Sequence, residues 1–193
     1  MNLTSVLSGG SYWINLTNTI LIENENEVDL LATKEWTIEW LKQNHLIKDK
    51  DISLVNTKMI DGLKNLRKLC FLILNELKNN GTIQKTKKSA YQQFQDFVAH
   101  LSVNVSINID PEIQMVVIGK TKQDDVLLKI SKSIIQTITE VKPERIRKCE
   151  NKKCILHFVD YSKNGKRRWC RMETCGNRHK AKTFYEKKKE TKR

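Results

Sequence analysis

Four of the five cysteines fall within 27 positions, as Cys149-x4-Cys154 and Cys170-x4-Cys175 with fifteen residues between the pairs. Two short-spaced thiol pairs joined by a loop are what a tetrahedral zinc ion requires, because each pair wraps one side of the ion. The fifth, Cys70, lies on the apolar face of a helical pattern and reads as a small buried thiol. An odd cysteine count argues against a secreted disulfide framework. The stretch MNLTSVLSGGSYWINL has neither the basic nor the apolar region of a signal peptide. No run approaches the roughly 18 apolar residues of a membrane span, so no membrane partner is expected. The expected location is a reducing cytoplasm, where clustered thiols hold metal rather than pair. Four thiolates fill the coordination shell and leave no open position, so the expected zinc is single and structural. His157 and His179 are the competitors for a ligand place.

The charge divides the chain at the same point. The net charge is +13, from 35 basic and 22 acidic residues. Residues 142–193 hold 19 of the basic and 6 of the acidic ones, leaving 16 of each in residues 1–141. A balanced body (1–141) followed by a basic, metal-bound module (142–193) is the expected organisation, and the module suits a polyanion.

The body reads as mainly α with a small β-hairpin, an α+β unit. Thr33 precedes an amphipathic segment with Trp36, Trp40 and Leu41 on one face, ending near Asn44. Ser53 opens a longer one in which Val55, Met59, Leu63, Leu66, Cys70, Ile73, Leu74 and Leu77 keep helical spacing, closed by Asn79-Asn80-Gly81. A third runs from Ala90 through Tyr91, Phe94, Phe97, Val98 and Leu101. Then the period changes. Residues 102–109 alternate polar and apolar strictly, which predicts a half-buried strand returning through Ile113–Ile118 after the Asp110-Pro111 turn. Asp124 is the expected cap of a fourth helix carrying Val126, Leu127, Ile130, Ile134, Ile138 and Val141.

The module is expected to be a small ββα-type unit. The Asn164-Gly165 step predicts a hairpin turn between the cysteine pairs. Residues 177–189 read as a helix burying Ala181, Phe184 and Tyr185. Eight residues are candidates for nucleic-acid contact. Lys166, Arg167, Arg168 and Arg171 are placed to grip phosphates, Asn177 and Arg178 have base-edge chemistry, and Lys180 and Lys182 point outward on the helix. Arg178 has three readings: a base contact, a phosphate contact, or a structural tie from helix to hairpin. The run 187–193 reads as a nonspecific basic tail.

Nothing proposes an enzyme. The body has two histidines, His45 and His100, no Gly-rich phosphate loop and no paired carboxylates at catalytic spacing.

The string Cys149-x4-Cys154, Phe158-x-Asp160, Arg167-Arg168-Trp169-Cys170, Cys175-Gly176-Asn177-Arg178, with Lys180 following, resembles the CGNR zinc finger. More loosely, Asn15-Leu16-Thr17-Asn18-Thr19, Asp29-Leu30-Leu31, Trp40-Leu41 and Leu66-Arg67 are similar to the ABATE domain that precedes this finger. Thr17 departs from that pattern, which favours an apolar residue there. The resemblance implies zinc on Cys149, Cys154, Cys170 and Cys175, a DNA-binding module, and a stress-induced bacterial transcription regulator.

The expected function is therefore regulation through double-stranded DNA. The body would sense a small-molecule ligand, form a homodimer or contact a partner. Two alternatives stand beside it: an RNA-binding module, with Trp169, Tyr161 and His179 stacking on bases, and a protein-interaction or small-molecule-binding protein whose finger is only structural.

Overall fold

Polar residues ahead of the apolar runs fix where the helices begin. The computed structural model describes residues 3–83, 86 and 89–190, with only the backbone for 3–5, 187, 189 and 190. Residues 191–193, the end of the basic tail, lie outside the described residues. A 3-10 turn (Leu3–Gly9) leads into the short helix α1 (Tyr12–Thr17) and the strands β1 (Ile20–Glu23) and β2 (Asn26–Asp29). Thr33 caps α2 (Lys34–Gln43) by accepting from the Trp36 N–H, as its sequence position predicts. The long helix α3 (Thr57–Asn80) starts later than Ser53. Asn56 accepts from the Met59 N–H at 3.0 Å and is the cap, while residues 49–54 form a separate 3-10 turn. Gly81 ends α3 at φ 68°, the left-handed conformation that favours glycine.

Helix α4 (Ala90–Ala99) is capped by Ser89. Strands β3 (Val103–Asn108) and β4 (Gln114–Gly119) pair antiparallel, Val105 opposite Val117 and Ile107 opposite Met115. Helix α5 (Lys122–Glu140) is capped by Thr121 rather than Asp124. The Thr121 hydroxyl accepts from the Asp124 N–H at 3.1 Å and donates to its carboxylate at 2.7 Å. The molecule is thus mainly helical with small antiparallel β-hairpins.

The expectation of half-buried strands is corrected by the structure. Ile107 is 71% exposed, Met115 73% and Ile113 80%. Strict alternation puts these side chains on one face, but no described element covers that face.

Strands β5 (Ile146–Lys148) and β6 (His157–Val159) pair antiparallel, followed by a π-turn (Met172–Gly176) and helix α6 (Asn177–Glu190). The hairpin therefore encloses the first cysteine pair and does not lie between the pairs. Gly165 still turns the chain at φ 60°, but it joins no strands. Phe184 and Tyr185 are about two-thirds exposed and Ala181 is exposed, so α6 does not bury the face its pattern suggested.

One apolar cluster runs through both halves, joining Trp13, Ile14, Trp40, Leu63 and Ile130 to Leu156, Phe158, Val159 and Cys170. Buried polar pairs stitch it. The Asn18 side chain donates to the His157 carbonyl at 2.9 Å and accepts from the His157 N–H at 2.8 Å, completing both backbone bonds of β6 on its outer side. Arg67, buried on α3, donates both arms to Asp29 at 2.6 and 2.7 Å and a further bond to the Thr19 hydroxyl at 2.7 Å.

Burial alone would raise the Asp29 pKa. The hydrogen bonds from Arg67 and the Leu31 N–H, with the charges of Arg67 and Lys64, hold it below the usual carboxylate value. A depressed carboxylate pKa stabilises the fold above the unfolded value of about 3.9, and that stability is lost as pH falls through the folded pKa. Arg67→Met is expected to cost about 2–3 kcal/mol in urea unfolding by leaving Asp29 partly buried without its counter-ion. The variant should also lose part of the wild-type decline in stability below about pH 4.

Candidate metal centre

A tetrahedral zinc with sulfurs at about 2.3 Å requires sulfur–sulfur edges of about 3.8 Å. The ligand atoms of Cys149, Cys154, Cys170 and Cys175 all lie within 4.8 Å of one another. Cys154 Sγ is 3.8 Å from Cys170 Sγ, and Cys170 Sγ is 3.6 Å from Cys175 Sγ. The four cysteines are positioned to bind one metal ion, consistent with a single structural zinc. With all four corners taken, that ion would have no place for water or substrate. Crowding perturbs the thiols themselves: hydrogen bonds from Cys154, Cys170 and Cys175 push Cys149 far down. A divalent ion binds cysteines as thiolates, so it would take all four in that form.

The loops carrying the ligands are built by hydrogen bonds. Cys149 N–H donates to the Leu156 carbonyl and Glu150 N–H to the Arg168 carbonyl, so the first pair's loop closes against the segment leading to the second. Asp160 is fully buried and organises the connection. Its carboxylate accepts from the Ser162 N–H and hydroxyl at 3.0 and 2.5 Å and from the Arg167 N–H at 2.9 Å. Arg145 and Arg147 brace the same loop by donating to the carbonyls of Asp160, Ser162 and Arg167. Sequence reasoning missed Asp160, although Phe158-x-Asp160 stood inside the quoted string.

The tetrad 175–178 divides its roles residue by residue. Cys175 supplies a thiol. Gly176 lies so close to Met172 and Trp169 that a Cβ there would collide with the Met172 sulfur. The Asn177 amide donates to the Glu173 carbonyl at 3.2 Å, tying the first turn of α6 to the π-turn. Arg178 is exposed and makes no hydrogen bond or ion pair with any described residue.

The eight residues expected at nucleic acid separate into two groups. Arg167 folds inward: its guanidinium lies 4.3 Å from the Phe158 ring centroid and donates to the carbonyls of Trp169, Cys170 and Ser8. It braces the second cysteine loop and ties it to the N-terminal turn. Arg171 is half-buried and pairs with Glu173, and Asn177 is held as above.

Arg168, Arg178 and Lys182 line one groove of about 440 Å³, together with Lys152 and Lys153, which the sequence reading did not single out. Trp169 and His179 stack in the same groove with centroids 4.7 Å apart. Arg168 also pairs with Glu150 and Lys182 with Glu186. Lys166 and Lys180 are exposed and do not line this groove.

The two histidines stand outside the sulfur cluster. His157 is pushed down to about 4 by burial and by the charges of Lys148 and Lys78, so it is neutral at physiological pH. Among the described residues, no helix is long and apolar enough to cross a membrane.

Residues 145–188 match the family model of the CGNR zinc finger. A comparison with curated proteins finds no match.

Purified protein is expected to carry one zinc per chain by elemental analysis. Cys170→Ser should abolish that content and lower the stability of the whole chain, because Phe158 and Val159 belong to the shared core. His157→Ala should leave the content at one. Arg167→Lys keeps the charge but loses the forked bonds to three carbonyls. It should cost about 2 kcal/mol in thermal or urea unfolding, whereas Arg178→Ala should leave unfolding unchanged.

Proposed function

We propose that the chain is a DNA-binding transcriptional regulator whose metal-held module docks on the duplex backbone. The observation that carries this reading is the groove between the first cysteine loop and α6. It collects Lys152, Lys153, Arg168, Arg178 and Lys182 on one face of a +13 chain. Arg178 lines it without a hydrogen-bond or ion-pair partner among the described residues, at the start of a helix that follows directly on the ligand position Cys175. Cations fixed by a metal-braced loop contact phosphates with little loss of side-chain freedom, and a helix first turn can reach base edges.

The further parts of the reading follow from the same placement. The module counts as ββα-type on the order β5, β6, α6. The first part is ABATE-like, on the support that residues carrying that similarity have structural work: Asn18 holds His157 of the module, and Arg67 ties Thr19 and Asp29 together within the body. The open groove of about 800 Å³ between α3, α4 and α5, lined among others by Lys58, Lys68, His100 and Lys120, is where a small ligand would be sensed. A cytoplasmic role in stress-induced regulation follows from the resemblance. RNA is the second reading, favoured by the Trp169–His179 stack in the same groove, which offers a ring surface to an unpaired base.

The test is a titration of the zinc-loaded protein with duplex DNA at several salt concentrations. Log K should fall linearly with log salt, with a slope of about 0.9 per phosphate neutralised. Arg178→Ala should weaken binding by about 1–3 kcal/mol. It should also alter sequence preference if the side chain reads a base, or reduce the slope by about one if it holds a phosphate. Salt-independent or absent binding to every duplex would overturn the DNA reading. Preference for single-stranded RNA in direct competition would replace it with the second.

A further inference from the structure

The hairpin β3–β4 exposes an apolar surface that no described part of the chain covers. Val105, Ile107, Ile109, Ile113 and Met115 share one face and are between 60% and 80% exposed. Together they expose on the order of 600 Å², at the top of the range for the largest patch on a monomer and approaching the roughly 800 Å² that each partner brings to a standard interface. A two-stranded hairpin standing alone is marginal in water and needs a packed face to be stable. Beside it lies an apolar groove of about 380 Å³, formed by Tyr91, Phe94, Ile134, Ile135 and Ile138 with their neighbours on α3, α4 and α5. The two adjoin: the Lys132 ammonium donates to the Val117 carbonyl of β4, and Ile135 follows three residues later on the same face of α5.

We propose that this hairpin and groove form the surface through which two copies of the chain dimerise. The charge pattern selects the occupant. The net +13 of each chain sits in residues 142–193, so two copies repel at their modules and meet more readily through the neutral body. Residues 103–119 contain no lysine or arginine and carry two carboxylates, Asp110 and Glu112, at the tip. The described residues lining the groove include no charged side chain.

Shape selects it as well. An apolar ridge and a neighbouring apolar hollow can satisfy each other in a two-fold arrangement. The same patch is then buried on both copies and no sticky surface is left over. Strand β3 is also a free edge bearing Asn104, Ser106 and Asn108 rather than lysine, so it lacks the charge that commonly blocks edge contact. The proposal stands apart from the nucleic-acid reading, since none of these residues belongs to the basic groove.

Sedimentation velocity of the full zinc-loaded chain, without nucleic acid, tests it. The wild type should sediment as a dimer at micromolar concentration. The dimer should persist at high salt, because the contact is apolar. Ile107→Asp and Met115→Asp should each raise the dissociation constant at least about thirtyfold. Ile135→Asp, on the groove side, should do the same. All three sites are more than half exposed, so far-UV circular dichroism and zinc content should match the wild type. A monomer at all concentrations would overturn the proposal, as would a dimer that survives these substitutions. A dimer that dissociates in salt or on zinc removal while the hairpin stays intact would place the contact in the basic module and also overturn it.

Discussion

The tetrahedral demand of a single ion shapes the second half of the molecule. Four sulfurs must come within about 4 Å of one another, and the chain between them is too short of apolar residues to enforce this alone. Two loops, 149–154 and 170–175, are brought edge to edge. Their neighbours must then solve a polar problem, because the carbonyls around them point into a partly buried space. Asp160 and Arg167 solve it together, one gathering N–H groups and the other gathering carbonyls. Four thiolates around a divalent ion leave a net charge of −2, and Arg167 is placed to offset it. Part of the basic excess therefore serves the metal site rather than a partner, which is why a count of cations overstates the binding face.

The features legible in the sequence were those whose cause is local. Thr33 and Gly81 mark helix ends through their own side chain or lack of one, and the paired cysteine spacing carries its metal chemistry within each pair. Features whose cause lies far along the chain were not legible. Arg167 looks like an outward cation until Ser8, 159 positions away, is seen to accept from it. Asn18 looks like a helix-end residue until β6 is found beside it. The alternation in β3 correctly predicted which side chains share a face, but burial depends on whether another element arrives to cover that face. Strands β1 and β2 are only four residues each, too brief for a period to register.

The body and the basic module are held in one arrangement by directional bonds. Asn18 reads both backbone groups of His157, Arg167 reaches the N-terminal turn, and the apolar cluster is continuous through Phe158 and Val159. Breaking such a junction would strand buried polar groups, so its geometry is sharper than apolar packing alone would give. Any ligand or partner that shifted α1 would therefore move the strand that carries the zinc loops.

The bareness of α6 has its own consequence. Its apolar side chains meet water, and Arg178, Lys180 and Lys182 crowd like charges along its first turns. Beyond the contact of His179 with Trp169, the fourteen-residue helix buries little of its surface, and a helix of this length is marginal by itself. The zinc-anchored start nucleates it, and electrostatic repulsion works against its extension. On the proposed reading a polyanion would relieve that repulsion, so the stability of this helix would be coupled to the negative surface it meets.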